Sequence, residues 1–420
     1  MKVGASQVDI TPHPGVELSG FAARVQPSTG VLDPLFARAL YLAEGSERVL
    51  WVHCDLIGFD RAIVLEFRDW AWERFGLAAG QVMLSATHTH SGPCTINLHE
   101  CGSYDSAYVK LLQGRMREAA QAALGQTEEC EVIATEGHLD LAVDRRQQAS
   151  KHTDPRVAAL AFRRSNGAFK AVVVNYPMHP VALGSSNRQI SADMLGQAAL
   201  RLSRLLTGQP IVLVTNGACG NLNPPAENVP FTQIEAWGGQ IADAVAARLA
   251  QAPPVSRPLF RVAARVFPLP LDAIDVAGIE AFARKALLDK KSLAEWGDKY
   301  RRAVKQWRSN LVVAAQAGRV IDYRDAELFA LRLGDVILLG ANAEVFSEFT
   351  DWLRVGTDQK VYVVGYANGD MGYLPTQAAY AEGGYEVDVA HLFYGGFRPK
   401  PGGLELLARE AKALLKQMAS

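Results

Sequence analysis

The sequence predicts a mixed α/β fold in the α+β sense: a large mixed β-sheet core flanked by helices, forming a single catalytic domain over residues 1–420. Three observations carry this reading. Short apolar runs alternate with helix-period segments along the chain, which argues for strands covered by helices. Two pairs of runs are joined by hairpin-type turns, so the sheet is mixed rather than all-parallel. Hydrophobic residues make up 49% and charged residues 21%, which excludes bulk disorder.

Val49-Leu50-Trp51-Val52 reads as a buried strand. Asp60 can cap a helix through Ile63, Phe67, Trp70 and Ala71, with Gly76 as its stop. Val82-Met83-Leu84 is the next strand, Tyr108 to Leu124 the next helix ending at Gly125, and Val132-Ile133-Ala134 another short strand. Val157 to Phe162 and Phe169 to Val174 flank Asn166-Gly167, a strong hairpin signal because both turn residues tolerate positive φ. Met194 to Leu206 is helical and runs into the strand Ile211 to Val214. Thr232-Gln233-Ile234-Glu235 reads as a capping box opening a helix through Ile241, Val245 and Leu249.

Phe260 to Val266 alternates as a strand. A charged helical excursion over about 272–317, periodic from Ile279 to Ala315, reads as two surface helices. Leu328 to Leu331 and Val336 to Leu339 flank Gly334-Asp335, a second hairpin. An amphipathic helix through Leu404, Leu407, Ala411 and Leu415 closes the chain. Gln251-Ala252-Pro253-Pro254 is linker-like but short, so it joins layers of one domain, and no internal repeat is visible.

Lys plus Arg total 43 and Asp plus Glu 44, a formal charge of −1. This gives no broad pull toward nucleic acid or an anionic membrane. Five cysteines without a CxxC are read as buried thiols rather than a disulfide framework. No apolar run approaches the ~18–20 residues of a membrane span, and the N-terminus lacks an apolar leader segment. A cytoplasmic, soluble protein is the resulting expectation.

The chemistry concentrates where strands end. In Thr87-His88-Thr89-His90-Ser91-Gly92-Pro93 two histidines follow a strand at i and i+2, on one side of extended backbone. Neutral imidazole is a common zinc ligand, although an isolated HxH is as readily a pair of loop histidines. Other apolar runs end alike: Asn175 to His179, Thr215 to Asn221, Gly340 to Glu344 and Gly365 to Asp370. Ligands bind beyond the carboxyl ends of strands in open α/β sheets. His88, His90, His179 and Glu344 could therefore meet, and two or three His with one carboxylate make a catalytic zinc site with room for water.

Alternatives stay open at this point. His179 could serve a turn, Glu344 could be a first-turn acid, and His53 and Asp55 at a strand end are competing ligands. Asp193 could orient His179 or simply start a helix. His13, His99, His138, His152 and His391 are read as surface or structural.

The Thr87–Pro93 segment resembles the signature of the neutral/alkaline non-lysosomal ceramidase family. So do Val3-Gly4 with Asp9-Ile10-Thr11-Pro12, Asp33 to Ala39, and His179-Pro180 with Ile190-Ser191-Ala192-Asp193. Asn368 to Tyr373, Pro375-Thr376 and Glu382 to Glu386 resemble its C-terminal catalytic segment. The resemblance implies a zinc-dependent amidase, with Zn2+ held by His88, His179, Glu344 and Tyr373. It further implies that His90, Tyr385 and Arg145 contact the substrate or the developing oxyanion.

The substrate implied is a small-molecule or lipid-like N-acyl compound, and the chain reads as a short form without a C-terminal immunoglobulin-like domain. An esterase, lactonase, cyclic-amide hydrolase or lyase on a small polar substrate is the alternative, and a non-catalytic metal-binding protein the third reading. Where the family carries Gly-Asp-Val-Ser-Pro-Asn, this sequence reads Gly220-Asn221-Leu222-Asn223-Pro224-Pro225, which excludes a serine nucleophile at that position.

Overall fold

The structure, a computed structural model, describes residues 1–146, 151–255, 259–319 and 321–418. The predicted alternation of strands and helices is present, with the strands divided among three principal sheets. The first holds β1 (Lys2–Asp9), β2 (Phe36–Glu44), β3 (Glu47–Cys54) and β4 (Val82–Ala86), with α1 (Arg61–Phe75) between β3 and β4 and α2 (Ser106–Gly125) after β4. The second holds β5 (Glu131–His138), β6 (Arg156–Arg163), β7 (Phe169–Tyr176) and β8 (Ile211–Asn216), with α3 (Asp193–Leu205) and α4 (Phe231–Leu249) placed alike. The third holds β9 (Phe260–Pro270), β10 (Tyr323–Leu333), β11 (Val336–Ala341) and β12 (Lys360–Val364). Here α5 (Val276–Ala286) and α6 (Lys290–Gln316) lie between β9 and β10, and α7 (Glu348–Arg354) links β11 to β12. Two short helices, α8 (Gln377–Glu382) and α9 (Ala390–Phe393), precede α10 (Gly403–Gln417).

One topology thus recurs three times: an antiparallel meander, a helical crossover, and a strand parallel to the third. The sequence shows no such repeat. Buried strand positions accept any apolar side chain of suitable volume, so units can share hydrogen-bonding pattern without sharing residues. The inner faces of the sheets pack into a common core that includes Trp51, Met83, Phe162, Leu213, Phe329 and Tyr362. The outer faces are covered by α1 and α2, by α3 and α4, and by α7 and α10. Burial on both faces explains why the runs read as continuous apolar stretches rather than alternations.

Both hairpins form at Asn166-Gly167 and Gly334-Asp335, with Gly167 and Gly334 at positive φ. The capping box does not. The helix α4 begins at Phe231, directly after Pro230, so Thr232 lies inside the first turn and no side chain caps it. Pro230 already fixes φ near −67° at the helix entrance, and the helix starts ahead of the hydroxyl. Asp60 does stand at the N-cap of α1, but its carboxylate accepts from Asn97 N–H at 3.3 Å instead of from the helix. The charged excursion is α5 and α6, and α6 is broken at Gly297, whose φ is 55° and ψ −131°. All five cysteines are buried and none is in a disulfide.

The sheets lock together at their shared carboxyl-terminal edge. His53 Nε2 meets the Val214 carbonyl at 3.0 Å, Asn175 Nδ2 donates to the Val363 carbonyl at 2.7 Å, and Asn368 N–H donates to the Leu84 carbonyl at 2.7 Å. Each lock joins one unit to the next, so the three edges close on one another. The connections from first to second strand in each unit also emerge at this edge.

Candidate metal centre

His88 follows β4 by one residue, His179 follows β7 by two, and Glu344 follows β11 by two. These three strands belong to the three different sheets, so their convergence is a product of the closed edge. Glu344 Oε2 lies 2.9 Å from His179 Nε2 and 3.5 Å from His88 Nε2. The ring nitrogens of His88, His90 and His179 come within 4.8 Å of one another. All of this is deep: His88, His179 and Glu344 are buried and His90 nearly so.

Tautomers follow from the acceptors. His88 Nδ1 donates to the Ile57 carbonyl at 2.6 Å, and His179 Nδ1 to the carbonyls of Cys219 at 2.7 Å and Leu222 at 3.2 Å. A carbonyl can only accept, so each Nδ1 carries a proton and each Nε2 faces inward, that of His179 toward the Glu344 carboxylate at 2.9 Å. Asp193 does not orient His179. It lies at φ 56° at the start of α3, where its carboxylate takes the N–H groups of Met194 at 2.8 Å and Leu183 at 3.3 Å. The carbonyls of Cys219 and Leu222 already take the His179 Nδ1–H, leaving it nothing to donate to Asp193.

His53 and Asp55, the competing ligands, are consumed elsewhere. His53 binds Ser85 Oγ at 2.8 Å and the Val214 carbonyl, and Asp55 pairs with Arg38 at 2.7 Å. His13 and His138 are exposed, and His152 joins Ser347 and Asp351. His99 and His391 stand away from the cluster, His391 edge-on to Phe282 and Trp307.

The backbone bears strain here. His88 and Tyr366 sit at φ 63° and 55°, and their rings stack at 3.9 Å with 12° between planes. Each left-handed non-glycine residue costs about 1–3 kcal/mol, held by its surroundings. The His88–His90 loop is tied to the Ser191 segment: Thr89 Oγ1 donates to the Ser191 carbonyl at 2.7 Å and Ser191 N–H to the Ser91 carbonyl at 3.0 Å. Asp33 holds Ser191 Oγ at 2.5 Å and Ala192 N–H at 2.9 Å. The Asp33 and Ile190–Asp193 motifs thus brace the histidine loop. Gly20, at φ 95°, is needed for the same reason: a Cβ there would stand 2.5 Å from the His90 ring.

Electrostatics fit a cation. Burial lowers His88 to about 4 and His90 well below its usual range, which keeps both imidazoles neutral and their lone pairs free. Burial opposes charge on His179, yet Cys219 and the Glu344 carboxylate outweigh it and raise it to about 10. Burial likewise opposes charge on Glu344, but His88, His179 and the Tyr394 hydroxyl hold it at about 2. The spot between them is built for positive charge, which a divalent ion supplies in place of a proton. Zinc bonds of about 2.0–2.2 Å at tetrahedral angles place ligand atoms about 3.3–3.6 Å apart, close to the spacings around Glu344 Oε2. The two buried nitrogens of His90 have no hydrogen-bond partner among the described residues. The residues present therefore fit a metal ion.

Tyr373 pairs with Glu344 in a short parallel bridge, and its ring lies 6.4 Å from His179 at 16° between planes. Arg145 lies over the Tyr373 ring at 5.4 Å and is pinned by Glu386 at 2.9 Å, Asn223 Oδ1 at 3.0 Å and the Gly220 carbonyl at 2.8 Å. Arg146 instead turns to Glu386 and Glu382 and packs over Phe346, so Arg145 is the arginine beside the centre. Tyr385 touches Tyr373 at 5.7 Å. His90, Arg145, Tyr373 and Tyr385 all line one cavity of about 650 Å³. Phe21, Arg145 and Trp296 bring to it one wall from each first-to-second-strand connection.

Three side chains were not singled out from the sequence. Tyr366 OH lies 3.3 Å from both His179 Nε2 and Glu344 Oε2. Tyr394 OH donates to Glu344 Oε1 at 2.6 Å and also reaches Asp370 Oδ2 at 3.0 Å. Burial beside Glu344 raises Asp370 to about 8. Tyr366 and Asp370 fall in a strand-end cluster rich in polar residues, whereas nothing local marks Tyr394. By holding Oε1, Tyr394 leaves Oε2 to face the imidazoles. Tyr394→Phe is therefore expected to weaken affinity for a divalent ion at this centre about 10–100-fold, the usual cost of losing such a partner. Competition with a chromophoric chelator measures it, and an unchanged dissociation constant would contradict the role.

Residues 1–213 match the family described as neutral/alkaline non-lysosomal ceramidase, N-terminal. Neutral ceramidase of Pseudomonas aeruginosa is 25% identical over 250 residues, covering 53% of this chain and 37% of that protein. Neutral ceramidase B of Dictyostelium discoideum is 24% identical over 230 residues, covering 49% and 32%. The chain thus spans about a third of the length of these curated relatives. The crystal structure of the Pseudomonas aeruginosa neutral ceramidase superposes with a TM-score of 0.74 at 19% identity, over 99% of this chain and 74% of that one. A ceramidase complexed with C2 superposes with a TM-score of 0.75 at 17% identity, over 99% and 75%. No helix among the described residues is long and apolar enough to cross a membrane.

Proposed function

Because the chain belongs to the neutral/alkaline non-lysosomal ceramidase family, we propose that it is a zinc-dependent hydrolase that cleaves the C–N bond of an N-acyl substrate with water. One observation carries this reading: His88, His179 and Glu344, from three sheets, converge with inward-facing donor atoms beside His90 and Tyr373, which line the cavity. His88, His179 and Glu344 would hold the ion, with Tyr373 as the fourth ligand by family resemblance and His90 at its cavity side. When bound, the ion would supply a Lewis acid that polarises the acyl carbonyl and lowers the pKa of a water to about 7.

The rest falls to side chains. Attack of water on the acyl carbon forms a C–O bond and places negative charge on the carbonyl oxygen. Arg145, its plane fixed by three hydrogen bonds, and Tyr385, held above Tyr373, present donors toward that oxygen. Burial raises the Tyr385 hydroxyl far above its ordinary range, so it stays a proton donor. Collapse breaks the C–N bond, and the leaving nitrogen takes the proton released by water. His90 is the relay: it is neutral, and neither ring nitrogen is bound to another described residue. The products are a carboxylate and a protonated amine, the second proton of water passing from the new acid to the amine.

Protein loaded with zinc and assayed against a panel of N-acyl amines tests the reading. Stoichiometric zinc with hydrolysis supports it, and no hydrolysis across the panel by the zinc-loaded protein overturns it. Tyr385→Phe is expected to keep its zinc and lose about 10²–10³-fold in kcat, as for one oxyanion donor. Loss of the metal in that variant would remove Tyr385 from this role.

A further inference from the structure

The α5–α6 excursion reaches the cavity through the start of α6, at Lys291, Glu295 and Trp296. The first piece of α6, residues 290–296, is capped by Asp289, which accepts from Lys291 N–H at 3.2 Å and Ser292 N–H at 3.3 Å. It is anchored by buried Ser292. The helix then breaks at Gly297, where φ is 55° and a Cβ would meet open space. The break changes the helix direction directly after Trp296, and Trp296 lines the cavity while Tyr300, one turn on, is buried beneath it.

The indole completes a row of rings. Trp296 stands 5.7 Å from Tyr385 and 5.8 Å from Phe393, Tyr385 stands 5.7 Å from Tyr373, and Tyr373 stands 6.4 Å from His179. A row of aromatic rings therefore runs from the histidine cluster outward to Trp296, in a cavity that Phe21, Ala22 and Val181 also line. Polar side chains share the cavity wall with these rings, among them Arg145, His90, Asn223, Glu227, Lys291 and Glu295. A group extending from the reacting carbonyl along this row meets the rings of Tyr373, Tyr385 and Trp296 in turn.

We propose that Trp296 is the specificity-determining residue of this chain, the outer platform on which the acyl portion of an N-acyl substrate lies, so that medium-length alkyl chains are selected over acetyl. This rests on the hydrolase reading above. Its test is arranged to fail separately. The binding of acetate, hexanoate and dodecanoate, the carboxylates such a reaction releases, is measured by calorimetry on the zinc-loaded protein and on zinc-loaded Trp296→Ala and Trp296→Phe. The kcat/KM ratio of N-dodecanoyl to N-acetyl substrate is measured on the same proteins.

The expected result is tighter binding of dodecanoate than acetate, a loss of at least tenfold in that preference in Trp296→Ala, and its retention in Trp296→Phe. The substrate ratio is expected to fall in parallel, with zinc content unchanged. Equal binding of short and long carboxylates by the parent protein overturns the proposal, as does an undiminished preference in Trp296→Ala. Chain-length-dependent binding that needs Trp296, without any hydrolysis, would sink the hydrolase reading and leave this platform standing.

Discussion

Replacing His179 by alanine is expected to abolish stoichiometric binding of the proposed zinc and to lower the proposed hydrolysis by more than about 100-fold, beyond the 10–100-fold that supporting contacts contribute. His179 is fully buried, its Nδ1 is committed to the Cys219 and Leu222 carbonyls, and its Nε2 is 2.9 Å from Glu344 Oε2. No neighbouring side chain can take its place. His90 reaches the cluster from the cavity side, and His53 is locked between Ser85 and Val214. Elemental analysis of the purified variant beside a hydrolysis assay decides the matter, with circular dichroism to confirm the fold. A His179→Ala protein with full zinc would show that the ion is held by other residues, and the proposed centre would be wrong.

The second large effect concerns stability. Glu327 on β10 is buried and receives Arg68 at 2.6 Å, Asn368 Nδ2 at 2.9 Å, and Arg61. Both arginines come from α1, so this carboxylate joins the first and third units. Glu327→Ala leaves the buried Arg68 guanidinium with no carboxylate and is expected to cost about 3–5 kcal/mol, the usual penalty for halving a buried ion pair. Urea unfolding of parent and variant measures it. Glu327→Leu should be no better, because the loss comes from the stranded charge and not from missing volume. A change under about 1 kcal/mol would mean that Arg68 finds water or another partner.

The consequence reaches the site. Asn368, at φ 61°, donates its N–H to the Leu84 carbonyl and accepts at Oδ1 from Leu84 N–H at 2.9 Å, two residues before the loop that carries His88. Loss of Glu327 frees the Asn368 amide and loosens that lock. A drop in zinc affinity in Glu327→Ala, larger than in surface variants of equal stability, is the accompanying signature.

Much of this protein was legible in its residue order, because the signals are local. Asn166-Gly167 forms its hairpin because the turn needs positive φ at Gly167, and Val212-Leu213-Val214 forms a strand because its sheet is covered on both sides. Polar residues gather where such runs stop, and this pointed to His88, His90, His179 and Glu344 before any of them could be seen to meet. Spacing along a strand and the chemistry of a turn depend on a few neighbouring residues, which a single chain displays openly.

The remainder came from packing between distant segments. The three-fold recurrence of one topology is invisible in residue identity, since its positions require only apolar bulk. His179 is oriented by two backbone carbonyls rather than by Asp193, and a carbonyl has no side-chain letter to read. Tyr394 reaches Glu344 from a helix 50 residues downstream, and Arg145 reaches Glu386 across 241 residues. Such contacts exist only because three sheets bury their inner faces against one another and thereby bring their carboxyl-terminal edges together. Burial of apolar surface sets that arrangement, and it is indifferent to which polar side chains ride on the edge.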